Sequence, residues 1–354
     1  MIYNLLYSDS VEIECKTLNK FQEIMSIEKS KIDDYREQWD KVKKCINMHE
    51  YIYVSQNRNR NISNIIPISR SFFKLVEMIK DLNIINKPQI DCFCIAEAPG
   101  GFIQSLLMRN EVTKINAVTL ISDDDEIPRW NHNIMNNDKV KLYYGIKKNG
   151  DIRDLTNVLS IIKDIGKNSM NLITGDGGFD YSNDYNKQEF NSLSLIYSEI
   201  FLALNTQKEN GVFICKCFDL FIDTTIQLLY ILSKSYGKIH IHKPSISRLS
   251  NSEKYIVCLD YKGYNKDTIN LLIHNFNDPS KLDIKVDHKF YEEIIKFNEN
   301  YTEIQINQIN KGIDLIKKYK NIKNYPSKYQ TKQALKWCED YEIPINNNCY
   351  YLKP

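Results

Sequence analysis

Three ionisable residues stand where apolar strands should end. Asp176 follows the run NLIT, Lys216 is embedded in VFICKCF, and Glu253 immediately precedes KYIVCL. Burying a charge is costly unless it is paired, so an Asp, a Lys and a Glu at neighbouring strand ends would pair with one another. Such a cluster is also a chemical site. A lysine held in it can take a proton from a hydroxyl if burial or a neighbouring cation lowers its pKa from ~10.4 toward neutrality. A second lysine would supply that cation and steady a developing alkoxide. Each residue alone has an ordinary reading: a snorkelling lysine, a turn-capping aspartate, a solvated glutamate. Together, beside the corner described next, they point to a proton-transfer site.

The corner is CFCIAEAPGGFIQSLL, from Cys92 to Leu107. An apolar run of strand length, Cys92 to Ala96, breaks at Pro99-Gly100-Gly101. It resumes with Phe102, Leu106 and Leu107 at helical spacing. Strand, glycine turn and helix make a nucleotide-type binding corner, because glycine lets backbone approach a ligand closely. Glu97 adds a carboxylate at the strand's end. It would repel a phosphate and suit a cation. S-adenosylmethionine carries an α-ammonium and a sulfonium, so it fits this corner better than ATP or NAD.

The elements that must position these residues follow from the pattern. From Pro88 onward strands and helices alternate. Strands are predicted at 115–121, 139–144, 170–174, 212–218, 238–242 and 255–259, and helices at about 186–204 and 224–236. This alternation argues a doubly wound, mostly parallel α/β sheet with helices on both faces. Upstream, Pro67 and Ser69 announce a helix, with Ser69 as N-cap and Phe72, Leu75, Val76, Ile79 and Leu82 on one stripe. We divide the chain into an N-terminal helical extension (1–66), a core (67–264) and a helical, lysine-rich C-terminal appendage (265–354).

Composition sets further bounds. The 354 residues include 47 Lys+Arg against 45 Asp+Glu, a net charge of +2, so a polyanion would have to be met by local basic patches. No apolar run approaches the ~20 residues of a membrane span, and no signal-peptide core opens the chain. A soluble, intracellular protein is expected. Nine cysteines are read as reduced thiols. The pairs Cys92/Cys94 and Cys215/Cys217 lack the usual zinc spacing and read as core residues. No metal is implied.

The motifs ISRSFFKL, AEAPGGF, GDGGFDYS, GVFICKCFD and KPSISRLSNSEKYIVC, in that order between about residues 67 and 260, resemble the FtsJ-like (RrmJ-type) RNA 2′-O-ribose methyltransferases. The likeness is to the branch that makes cap-1 on mRNA, in versions from large cytoplasmic DNA viruses. The resemblance implies a SAM-methyltransferase fold and a catalytic set of Lys74, Asp176, Lys216 and Glu253, with Lys216 as base. Only the resemblance selects Lys74. It assigns Glu97, Ala98, Pro99, Gly100, Gly101 and Phe102 to S-adenosylmethionine. It suggests Asp151, in GDIRDL, for the adenine amino group, although a helix N-cap is the local alternative. One departure is plain. The acid that many such enzymes place at the end of the second strand to hold ribose is replaced here by Thr119-Leu120, and the acids arrive later, at Asp123 to Glu126, as an exposed loop. The resemblance also implies capped mRNA as substrate, at its first transcribed nucleotide, and a cytoplasmic site of action, with a viral factory or virion as alternatives. Rivals are 2′-O methylation of uncapped ribosomal or transfer RNA, and a non-catalytic binding subunit. Arg70, Ser247 and Arg248 are the expected RNA contacts, with Lys243 and Lys254 beside them. The tail lysines Lys317, Lys318, Lys320, Lys323, Lys328, Lys332 and Lys336 could bind RNA or dock another capping enzyme.

Overall fold

The computed structural model describes residues 1–178, 187–319, 322 and 325–353. Ten strands are found among the described residues: β1 (Ile2–Asn4), β2 (Glu12–Glu14), β3 (Ile90–Ile95), β4 (Val112–Val118), β5 (Val140–Tyr143), β6 (Met170–Gly175), β7 (Gln207–Cys217), β8 (Tyr236–His242), β9 (Lys254–Tyr261) and β10 (Lys285–Asp287). The helices are α1 (Asn19–Ser30), α2 (Arg36–Ile46), α3 (Ser71–Asp81), α4 (Gly101–Leu107), α5 (His132–Met135), α6 (Leu155–Ile165), α7 (Gln188–Thr206), α8 (Asp223–Ser235), α9 (Lys266–His274), α10 (His288–Lys318) and α11 (Lys328–Asp340). The expected doubly wound sheet is present. Its order is β1-β8-β9-β7-β6-β3-β4-β5. The five strands from β7 to β5 run parallel, and β9 joins antiparallel to β7. The chain winds outward from β3 in both directions, so the crevice at the carboxyl ends of β3 and β6 is the topological switch point where such sheets bind ligands.

β3 is covered on both faces, as a central parallel strand must be. Phe93 and Ile95 join one core cluster with residues of α6, α7 and α8. Cys92 and Cys94 face the other way, among residues of α3 and α4. Complete burial of a side chain such as Phe93 contributes about 1.5–3 kcal/mol. The C-x-C cysteines are indeed core: Cys92, Cys94, Cys215 and Cys217 are all buried.

Some boundaries shift for identifiable reasons. β4 begins at Val112, not at 115, because Thr113 and Lys114 point outward and hide its start from an apolar count. Thr119 and Leu120 then leave the sheet for the cleft wall. Ser69 is not the N-cap of α3. That place falls to Arg70, with no side-chain cap, while the Ser69 hydroxyl lies 2.6 Å from that of Ser71. The expected strands at 212–218 and 255–259 extend to Gln207–Cys217 and Lys254–Tyr261. The FDYS half of GDGGFDYS, Asn186, Lys320 and Lys323 lie outside the described residues.

The chain's outer thirds pack on the sheet and on each other. Phe290, Ile294, Phe297 and Tyr301 of α10 belong to the main core, and its Ile309 and Ile313 close on Phe21 and Met25 of α1. Ala334, Trp337 and Cys338 of α11 pack with Tyr51, Ile52, Phe72 and Phe73. β10 pairs with β2. Polar bonds lock α3 into this arrangement. Trp337 Nε1 donates to Glu77 (3.0 Å), the Tyr341 hydroxyl donates to Asp81 (2.8 Å), and His242 Nε2 sits 3.0 Å from Asp81. No described helix is long and apolar enough to cross a membrane.

Candidate active site

Lys74, Asp176, Lys216 and Glu253 line one cleft of about 820 Å³ at the switch point, within the range of small-molecule sites. Four different elements deliver them. Lys74 stands one turn into α3, on the face opposite its apolar stripe. Asp176 follows β6, Lys216 is the penultimate residue of β7, and Glu253 immediately precedes β9. Because β9 runs antiparallel to β7, its start meets the end of β7, and Lys216 is paired in register with Tyr255.

The four form two coupled ion pairs. Lys74 Nζ lies 2.7 Å from Glu253 Oε1 and 2.8 Å from Oε2. Lys216 Nζ donates to the Asp176 backbone carbonyl at 2.7 Å and lies 3.4 Å from Asp176 Oδ1. The Tyr255 hydroxyl donates to Asp176 (2.9 Å) and the Ser247 hydroxyl to Glu253 (2.8 Å). The four side chains keep 13–16% of their surface exposed, so they are screened from bulk water yet open to a ligand. Burial alone would lower the pKa of Lys216, but Asp176, Glu253 and Glu199 outweigh it and raise it above its ordinary value. Glu253 is opposed by burial and held far below the carboxylate range by Lys74, Lys216 and Lys243. The resting site therefore holds Lys216 as an ammonium. The depressed lysine pKa that base chemistry needs is not a property of the empty cleft.

The glycine corner acts partly otherwise than expected. Ala98 and Pro99 are on the cleft wall. Glu97 is buried and turned away from the cleft; it accepts from the Phe102 and Ile103 amides at 2.7 and 3.4 Å, closing the N-terminus of α4. Burial, then the nearby Asp176 charge, pushes its pKa well above the ordinary value, which disfavours a grip on a cation. Gly100 takes φ +113°, and a Cβ on Gly101 would stand 2.2 Å from the Ser69 and Ser71 hydroxyls. Gly101 thus admits the start of α3, and Lys74 with it. Phe102 is core, tilted against Tyr255 with ring centroids 5.9 Å apart.

Asp151 lines the other end of the cleft with Leu120, Ile127, Pro128 and Ile152. It is bound by Arg153 at 3.0 Å. The helix-cap alternative belongs to Asp154, which accepts from Thr156 and Asn157 at the start of α6. Asp124 and Glu126 of the acidic loop are exposed, as expected, and also reach the cleft wall. The cleft thus joins apolar wall, carboxylates and the ion cluster.

The expected RNA contacts are placed differently. Arg248 is fastened to Glu50, Nη2 at 2.6 Å and Nε at 3.0 Å. Arg70 lines the cleft, but its guanidinium donates to the carbonyls of Tyr53 and Ile246 and lies 3.7 Å from Glu50. Ser247 serves Glu253. Lys243 and Lys254, expected as groove cations, are 2% and 1% exposed. Lys243 donates to the carbonyls of Asn251 and Glu253, and Lys254 to that of Phe218. Sequence reasoning missed Glu50 because it lies far upstream in an unremarkable helical stretch. It missed Tyr255, two residues past Glu253, although strand alternation could have shown it.

Lys74, Asp176, Lys216 and Glu253 thus meet at the switch point of a doubly wound sheet. The family description "FtsJ-like methyltransferase" matches residues 67–261, over half of the chain, and the chain belongs to that family. It is 32% identical over 229 residues to Cap-specific mRNA (nucleoside-2′-O-)-methyltransferase 1A of Caenorhabditis briggsae, covering 58% of this chain and 26% of that protein. It is 33% identical over 189 residues to Cap-specific mRNA (nucleoside-2′-O-)-methyltransferase 2 of Mus musculus, covering 48% and 24%. A C. briggsae protein named as an inactive cap-specific mRNA (nucleoside-2′-O-)-methyltransferase 1B is 31% identical over 229 residues, covering 58% and 27%. The chain spans about a quarter of the length of these curated relatives. They are animal proteins and lend no support to the expected viral likeness. The family implies a methyl donor.

Proposed function

We propose that the protein transfers a methyl group from S-adenosylmethionine to the ribose 2′-oxygen of the first transcribed nucleotide of capped mRNA. The observation that carries this reading is the meeting of Lys74, Asp176, Lys216 and Glu253 on one cleft wall in a chain of this family. The names of its relatives support the capped substrate. When bound, S-adenosylmethionine supplies an electrophilic methyl carbon on a sulfonium.

The chain's own residues must orient the hydroxyl and take its proton. Lys216 does both. Its bond to the Asp176 carbonyl fixes the amine, leaving its remaining tetrahedral positions for the substrate oxygen. A positive charge added to the cleft works against the three carboxylates that hold the Lys216 proton and lowers the pKa of the amine. Lys74, clamped by Glu253, keeps a second cation beside the reacting oxygen. Asp151 and the apolar wall next to it hold the nucleoside, and Ala98 and Pro99 shape the methyl-bearing end.

The test is a labelled-methyl assay on short RNAs differing only in the cap, with nuclease mapping of the product. Label on the first nucleotide of capped RNA alone is expected. Equal labelling of uncapped RNA would move the substrate to ribosomal or transfer RNA. RNA binding without transfer would place this chain with the relative named inactive.

A further inference from the structure

One peptide group in the cleft is gripped at both ends. The Asp176 carbonyl accepts from Lys216 Nζ at 2.7 Å. The amide of the same peptide unit, Gly177 N–H, donates to Glu199 Oε1 at 3.1 Å. Glu199 belongs to α7 and is 1% exposed. Its other oxygen accepts from the Cys215 thiol at 3.2 Å, on the residue before Lys216. The carboxyl therefore bridges the ends of β6 and β7, the strands that present Asp176 and Lys216. The fit is close: a Cβ at Gly175 would stand 2.5 Å from Glu199 Oε2, and one at Gly177 2.5 Å from Oε1. The glycines on either side of Asp176 are there to admit this carboxyl.

We propose that Glu199 is a positioning residue of the transfer site, acting through the Asp176–Gly177 peptide to orient Lys216 and to govern how firmly it holds its proton. The proposal rests on the methyl-transfer reading above. A carboxylate bonded to a peptide N–H polarises that peptide and strengthens its carbonyl as an acceptor, and away from bulk water such effects reinforce one another. Ionised Glu199 thus holds the Lys216 ammonium, and neutral Glu199 loosens it. The charged groups acting on Lys216 are Asp176, Glu253 and Glu199; those acting on Glu199 are Lys216 and Asp176, with the neutral Cys215 thiol hydrogen-bonded to it. Burial, reinforced by the Asp176 charge and eased by Lys216 and the Cys215 and Gly177 hydrogen bonds, raises the pKa of Glu199 to about 7, so the relay changes state in the neutral range.

The experiment follows the Lys216 side chain by NMR in full-length protein labelled with [ε-¹³C]lysine, its signal assigned by loss in Lys216→Arg. In the wild type the signal should show an inflection near pH 7 from Glu199. In Glu199→Gln, which keeps the acceptor and removes the charge, that inflection should vanish, and the Lys216 titration should move acid by about one pH unit. Methyl-transfer rates should show the same displacement with KM for S-adenosylmethionine unchanged, whereas Glu199→Ala should lower kcat at least about tenfold. A wild-type signal without the neutral inflection, or one that titrates identically in Glu199→Gln, overturns the proposal. Because NMR needs no substrate, the expected titration in a protein that fails to methylate capped RNA would support the relay and sink the reaction instead.

Discussion

Two charge clusters lie side by side in this molecule. Lys74, Lys216, Asp176 and Glu253 form one; Arg70, Arg248 and Glu50 form the other. Adjacent residues feed them both: the Ser247 hydroxyl bonds Glu253 while the Arg248 guanidinium bonds Glu50. They differ in chemistry. The lysine-cluster side chains keep 13–16% exposure on the cleft wall; in the second cluster Glu50 keeps 2% while Arg70 and Arg248 keep 26% and 25%. Arginine does not give up its proton in a protein, and lysine can. The same local ingredients therefore give a proton-transfer site in one place and a structural rivet in the other. What separates them is whether the cation can give up its proton: Arg70 also lines the cleft, but only a lysine can act as a base there.

The comparison can be broken by mutation. Lys216→Ala should reduce methyl transfer by about 10²–10⁴-fold while calorimetry shows S-adenosylmethionine still binding; retained transfer would remove Lys216 as base. Glu253→Gln frees Lys74 from its charge partner and should cost about 10–100-fold in kcat, with little change in KM for the donor. A rate within threefold of wild type would show Lys74 and Glu253 to be structural. Glu50→Gln should act oppositely. It removes the charge partner of two guanidinium side chains that keep 25–26% exposure, so urea unfolding should register a loss of about 1–3 kcal/mol, with kcat of the folded fraction changed less than about threefold. A selective loss of kcat would mean that the second cluster also serves catalysis.

A smaller effect concerns pH. Burial would raise the pKa of Glu50, but Arg70 and Arg248 pull it from 4.5 down to about 2. A carboxylate whose pKa is depressed by folding stabilises the native state above its unfolded value, and that contribution disappears as pH falls through the folded one. Stability should therefore fall between about pH 4.5 and 2, and Glu50→Gln should flatten that part of the profile. An unchanged slope would deny the pair its role.

Much of this was legible in the sequence. Alternation of apolar runs showed the sheet, and buried charges at strand ends showed Asp176, Lys216 and Glu253, because both signals are local. Lys74 was visible only through a family motif, since its neighbours on α3 say nothing of the β9 start it meets. Arg70 and Arg248 looked like RNA contacts because a free arginine and a paired one share the same local pattern; the difference is Glu50, far upstream in the chain. Glu97 looked like a ligand carboxylate, because the sequence does not show that the α4 amides would turn back and bind it. Glu199 gives no local signal, because its partner, the Gly177 amide, lies 22 residues away in the chain.

The central claim is that the lysine cluster, and not its arginine neighbour, meets the reacting sugar. A structure of the full chain with a S-adenosylmethionine analogue and a capped oligonucleotide tests it directly. We expect the first nucleotide's 2′-oxygen within about 2.6–3.2 Å of Lys216 Nζ. That oxygen lodged against Arg70 and Arg248, or a Lys216 amine turned away from it, would contradict the account.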